Sequence, residues 1–144
     1  MLKWNQLHQQ LETMANRHSQ LAAKFQSFAK FVEQQVTDSA FHIKGISASL
    51  HLEQGYFTTT FADRTLRFTF SSVLSESGSL VGTVTCSLMK DFPEKSLVPV
   101  GEFTFTGSGK TNLNNPEDGD PIIIDADIPA LYLGLHFIYE GLSK

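Results

Sequence analysis

The feature that most constrains this chain is a long run of apolar residues, spaced three and four apart, in its first quarter. The run comprises Trp4, Leu7, Leu11, Met14, His18, Leu21, Phe25, Phe28 and Val32, and His18 is its only polar member. Such a repeat keeps one stripe of an α-helix facing one partner along its whole length. Because residues 3–38 contain neither Gly nor Pro, the sequence predicts a long helix over this range. The polar segment Asn16–Ser19 leaves a kink or break open.

The length of this helix predicts how the chain assembles. A helix over residues 3–38 would be about 50 Å long, whereas a domain made from the rest of the chain would be only about 30 Å across. Part of the apolar stripe would therefore extend beyond its own domain, and a second copy of the helix could cover it. We predict a homodimer whose interface comprises Trp4, Leu7, Leu11, Met14, His18 and Leu21.

Beyond the helix the apolar period changes to two, which is typical of strands. Short alternating segments, such as Leu66, Phe68 and Phe70, recur at roughly ten-residue spacing over residues 41–106. Tight-turn signals such as Gln54-Gly55 separate them. The sequence predicts an antiparallel meander of about five strands. Gly45 is interpreted as a bulge, since the apolar parity changes there.

The last quarter of the chain predicts a loop and a second helix. Residues 107–121 are polar and rich in Gly, Asn and Asp, which indicates a loop. A helix over 127–142 follows, with Asp127 as its N-cap. Its predicted buried stripe consists of Leu131, Leu135, Ile138 and Leu142. The expected fold is therefore a single α+β domain, in which a long N-terminal helix and a shorter C-terminal helix pack on one face of the sheet.

Composition and charge narrow the function classes. The chain has 144 residues, a formal net charge of −4 and a pI near 5.7. Nucleic-acid binders and proteins that dock on anionic lipid usually present a basic face, so we expect neither partner. The single cysteine, Cys86, permits no intrachain disulfide. No apolar segment approaches the length of a membrane span or a signal peptide, and we expect a soluble cytoplasmic protein.

Motifs that could hold a nucleotide or a metal are incomplete. Gly107-Ser108-Gly109-Lys110-Thr111 resembles the end of a P-loop, but Thr104 stands where the first Gly belongs, and no helix is predicted to follow. The acidic residues between Asp118 and Asp127 lack the spacing of an EF-hand loop. The sequence therefore predicts no cofactor and no metal.

One helical face could in principle carry acid–base chemistry. Tyr132, His136 and Glu140 lie four residues apart on the last helix, where a glutamate could raise the pKa of the histidine. An ordinary polar flank of the helix explains the same spacing. We find no convincing catalytic arrangement and predict that the protein is not an enzyme.

Two functions follow from these patterns. The first is a small non-enzymatic protein-interaction module, homodimeric through the N-terminal helix. The second is a binder of a small hydrophobic ligand, held in a cavity between helix and sheet. The candidate pocket residues are Phe25, Phe28, Phe68, Phe70, Phe103 and Phe105, and the alternative is that these rings simply fill the core.

Overall fold

The structure is a computed structural model that describes residues 1–38 and 40–144. Helix α1 spans Trp4–Thr37, and helix α2 spans Asp127–Gly141. α1 is continuous, so the polar segment around Asn16 does not break it. With no Gly or Pro in its interior, each turn of α1 can keep its backbone hydrogen bonds.

Between the helices lies a seven-stranded antiparallel sheet whose strands are adjacent in space in the order in which they occur along the chain. The strands are β1 (Ser47–His51), β2 (Tyr56–Phe61), β3 (Arg64–Leu74), β4 (Leu80–Lys90), β5 (Ser96–Phe105), β6 (Lys110–Asn114) and β7 (Pro121–Ile123). A short 3₁₀ turn, Leu52–Gln54, connects β1 to β2. The predicted α+β class is confirmed, with seven strands instead of about five.

Both helices pack on the same face of this sheet, and the core forms between them. Phe28 of α1 and Phe137 of α2 both contact the rings of Phe68 and Phe103, which belong to β3 and β5. Phe28 also meets Phe57 of β2 edge-on, with ring centroids 5.5 Å apart. Edge-to-face pairs of this kind stabilise a core by about 0.5–1.5 kcal/mol each beyond their area burial. These contacts fix α1 across the middle of the sheet.

The buried side of α2 differs from the predicted stripe. Its buried residues are Ala130, Leu133, Gly134, Phe137, Ile138 and Gly141. Leu131 and Leu135 are only partly buried, and Leu142 is exposed. Small residues explain part of the difference, because Gly134 lets α2 approach Val32 of α1 closely: a Cβ at this glycine would lie 3.1 Å from Val32 Cγ2. A search for large apolar residues does not detect such a contact.

The start of the meander, the predicted loop and the cap of α2 also differ from the prediction. The meander starts at Ser47, and Gly45 lies in a turn before it with φ of +76°, where glycine is favoured over other residues. Strand β6 lies within the predicted polar loop. Its Thr111 is buried, and the Thr111 hydroxyl donates to the Ile122 carbonyl at 2.8 Å. The N-cap of α2 is Ala126, and Asp127 occupies the first turn.

Phe28 offers a direct test of the helix–sheet core. We expect Phe28→Ala to lower the free energy of unfolding by about 3–5 kcal/mol, because it leaves a cavity among four rings. Urea denaturation measures the change. Phe92→Ala is the matched control, since Phe92 is 87% exposed and should change stability little. Equal effects of the two substitutions would contradict this description of the core.

A substitution at Gly82 tests how closely β4 packs against the ring of Phe105. The ring of Phe105 lies directly over Gly82, so an added Cβ would overlap it, and Phe105 is itself buried in the core. We expect Gly82→Ala to destabilise the fold by about 1–3 kcal/mol through overpacking. Combining it with Phe105→Leu should recover part of the loss in the same denaturation experiment. No recovery would show that the clash is not the cause.

Candidate functional site

Helix α1 has two halves with different surroundings. From Leu21 onward, its buried residues are Leu21, Phe25, Phe28, Ala29, Val32 and Val36. Before Leu21 no residue of the helix is buried, and only Met14 is partly so. The apolar repeat nevertheless runs through both halves. The first half of the helix therefore presents an apolar stripe that its own sheet does not cover.

We call this stripe the free seam and define it as Trp4, Leu7, Leu11 and Met14. Trp4 is 77% exposed and Leu11 is 58% exposed, while Leu7 is also exposed. Spacings of three and four place the four side chains on one face of the helix. Single exposed apolar residues are common on protein surfaces, whereas contiguous ones indicate a contact site. The free seam is the strongest candidate for an interaction surface.

Two residues of the predicted interface contact the sheet or core of their own chain. Leu21 is fully buried in the core of its own chain, so it is not available to a second copy. His18 faces its own sheet: its Nδ1 shares a hydrogen bond of 2.6 Å with the Ser72 hydroxyl, and its ring packs against Phe70. The exposed part of the stripe is therefore shorter than the predicted interface, because the sheet contacts the helix from His18 onward.

The tip of the hairpin formed by β3 and β4 is also apolar, which the sequence analysis missed. Leu74, at the end of β3, is 59% exposed, and Val73 is exposed as well. Side chains two apart in a strand share a face, so Leu74 points to the same side as Ser72, which contacts His18. The signal was Leu74, which has the same parity as Leu66, Phe68 and Phe70 but follows the polar Ser72. Val73 and Leu74 therefore form a second exposed apolar patch, at the end of the strand that contacts His18.

The phenylalanines proposed to line a ligand pocket pack against one another. Phe25 stacks on Phe70 with ring centroids 5.4 Å apart, and Phe28 contacts both Phe68 and Phe103. Phe70 in turn lies 6.1 Å from Phe105. All but Phe70 are buried. This arrangement favours a filled core, since the rings occupy the space that a ligand would need.

The helical face with Tyr132, His136 and Glu140 is an open flank of α2. Tyr132 and Glu140 are exposed, and the His136 ring lies parallel to Tyr132 with centroids 6.3 Å apart. Among the described residues no hydrogen bond joins His136 to Glu140. The three side chains share a face as expected, but they do not surround a common reacting position.

The motifs that resembled nucleotide and metal sites have structural roles. Gly107–Gly109 form the turn between β5 and β6, where the Gly109 N–H donates to the Thr106 carbonyl. Strand β6, rather than a helix, follows Lys110. Asp125 pairs with Lys24 of α1 at 2.9 Å. Within residues 1–38 and 40–144, no three His, Cys, Asp or Glu side chains converge as metal ligands would.

Comparisons with known proteins add no relative. No protein-family model, curated protein or solved structure matches the chain. In the part of the chain that the structure describes, no helix has the length and apolar character needed to cross a membrane.

Cys86 gives a chemical test of the sheet face that the helices cover. Burial raises the pKa of its thiol from 9.0 to about 12, because desolvation disfavours the thiolate. We expect Cys86 to resist a disulfide reagent such as dithionitrobenzoate at pH 8 in the native protein and to react rapidly in 8 M urea. Absorbance at the wavelength of the released thiolate follows both reactions. Fast labelling of the native protein would show that this face opens.

Proposed function

We propose that the chain is a small non-enzymatic protein-interaction module that forms a homodimer through the free seam of α1. The observation that carries this proposal is the unbroken helix whose first half exposes Trp4, Leu7 and Leu11, whereas the apolar stripe of its second half is buried against the sheet. A second copy offers the same stripe, and two identical stripes can pair about a twofold axis. We expect Val73 and Leu74 at the hairpin tip to border this contact.

Helix energetics supports the need for a partner. Tertiary packing, more than intrinsic helix propensity, supplies most of the stability of protein helices. The residues of α1 before Leu21 have little packing of their own. Burying a large apolar side chain contributes about 1.5–3 kcal/mol. A paired seam would therefore stabilise both copies of this helical segment.

The other functional hypotheses have less support. Binding of a small hydrophobic ligand stays a prediction, but the mutual packing of the phenylalanine rings argues for a core instead of a pocket. Catalysis by Tyr132, His136 and Glu140 would need a concave site, whereas two of the three side chains are exposed. A cytoplasmic location also stays a prediction, and the free, buried Cys86 is compatible with it.

The dimer proposal is tested by placing charge on the seam. Leu7→Glu combined with Leu11→Glu should convert a dimer of about twice 16.0 kDa into a folded monomer, because paired seams would bury four uncompensated carboxylates. Light scattering on a size-exclusion column gives the mass, and circular dichroism checks folding. Gln9→Glu with Asn16→Glu is the control, since it adds two charges on the opposite face of α1.

The measured masses distinguish the dimer proposal from its alternatives. A parent protein that is monomeric at 100 μM, or a seam variant that stays dimeric, would refute the proposal. A control variant that dissociates as readily as the seam variant would show that net charge, and not the seam, governs association. Extra mass retained in native mass spectrometry of the parent would favour the ligand-binding alternative.

A further inference from the structure

A groove lies between the turn that connects β6 to β7 and the first turns of α2. Its volume is about 260 Å³. The turn contributes Glu117, Asp118 and Asp120 to its lining, and α2 contributes Ile128, Pro129 and Tyr132. Ile128 is 80% exposed and Tyr132 is also exposed, and their spacing of four residues places them one above the other on α2. The groove thus has an acidic wall and an apolar wall.

Among the described residues, no ion pair compensates the carboxylates of the acidic wall. Residues 112–143 include six carboxylates and no Lys or Arg. The ion pairs formed by the described residues are His8–Glu12 and Lys24–Asp125, and neither involves this wall. Asp118 accepts a hydrogen bond from the Asp120 N–H, and Asn115 accepts one from the Glu117 N–H. These bonds hold the turn in shape while the charges face solvent.

We propose that this groove binds a segment of another protein in which lysine or arginine side chains flank an apolar or aromatic side chain. The apolar anchor would lie on Ile128, Pro129 and Tyr132, and the flanking cations would face Glu117, Asp118 and Asp120. Charge complementarity determines this choice: an acidic segment or a nucleic acid would be repelled, whereas a basic segment gains both attraction and faster association. Tyrosine at such a site supplies a large contact area and a face for cations.

This site is separate from the proposed dimer contact. The groove lies beside the end of β6, at Asn114. The first half of α1 instead approaches the start of β6, because the Arg17 guanidinium lies against Gly107, just before that strand begins. Binding in the groove does not depend on the free seam, so it can be tested on a monomeric or a dimeric protein. Loss of one function would leave the other measurable.

The experiment uses the ¹⁵N-labelled full chain and a blocked peptide, acetyl-Lys-Lys-Leu-Trp-Lys-Lys-amide. We expect backbone amide shifts to change chiefly within residues 115–132, and affinity to fall about threefold between 50 and 300 mM NaCl, as screened charge contacts require. The same peptide with glutamate in place of each lysine should produce no such changes. Absence of binding up to 5 mM, equal effects of both peptides, or changes centred elsewhere would overturn the proposal.

Matched variants identify which wall is responsible. We expect the affinity for the lysine peptide to fall about tenfold when Glu117→Gln, Asp118→Asn and Asp120→Asn are combined. Asparagine at 118 keeps the side-chain oxygen that accepts the hydrogen bond from the N–H of residue 120. Glu53→Gln, Glu76→Gln and Glu94→Gln remove three charges elsewhere and should change affinity less than twofold. Tyr132→Ala should weaken binding at least threefold, whereas Tyr139→Ala on the same helix should not. If the two charge triples weaken binding equally, the attraction is nonspecific and the groove is not the site.

Discussion

The ring of Phe28 is the contact on which the rest of the structure depends. It meets Phe25 within α1 and Phe57, Phe68 and Phe103 from three different strands. Because Phe137 of α2 rests on two of the same rings, the cluster connects both helices to the sheet. A close-packed group of this kind leaves little freedom in how α1 crosses the strands. The crossing position in turn determines which part of α1 is covered and which part is left as the free seam.

Much of the fold could be read from periodicity alone. A three-and-four repeat without Gly or Pro predicts α1, and alternation between tight turns predicts the meander; both follow from the geometry of single elements. Strand β6 escaped detection because its inward residues include Thr111, whose burial depends on a hydrogen bond to Ile122. The buried side of α2 escaped because Gly134 packs by being small. The burial of Thr111 and of Gly134 depends on contacts with another element, and the spacing of residues along the chain does not predict such contacts.

The candidate surfaces also include residues that the sequence predicts and residues that only the folded chain brings together. Trp4, Leu7 and Leu11 were predictable because their exposure follows from a helix longer than the domain that it covers. The position of His18 was not predictable, since its Nδ1 shares a bond with Ser72, 54 residues away. The groove combines a turn and the start of a helix, so its two walls come together only in the folded chain. A search for motifs finds the acidic residues but gives no reason to place Ile128 beside them.

The contact between Val32 and Gly134 has a consequence for how the chain is made. At about 5–20 residues per second, synthesis of the intervening segment takes roughly 5–20 s. During that time the phenylalanine stripe of α1 has emerged while α2, which completes its cover, does not yet exist. The strands arrive in spatial order, each able to pair with the one before it. The growing meander can therefore shield α1 strand by strand, and the nascent chain would depend least on chaperones if its hairpins close as quickly as they leave the ribosome.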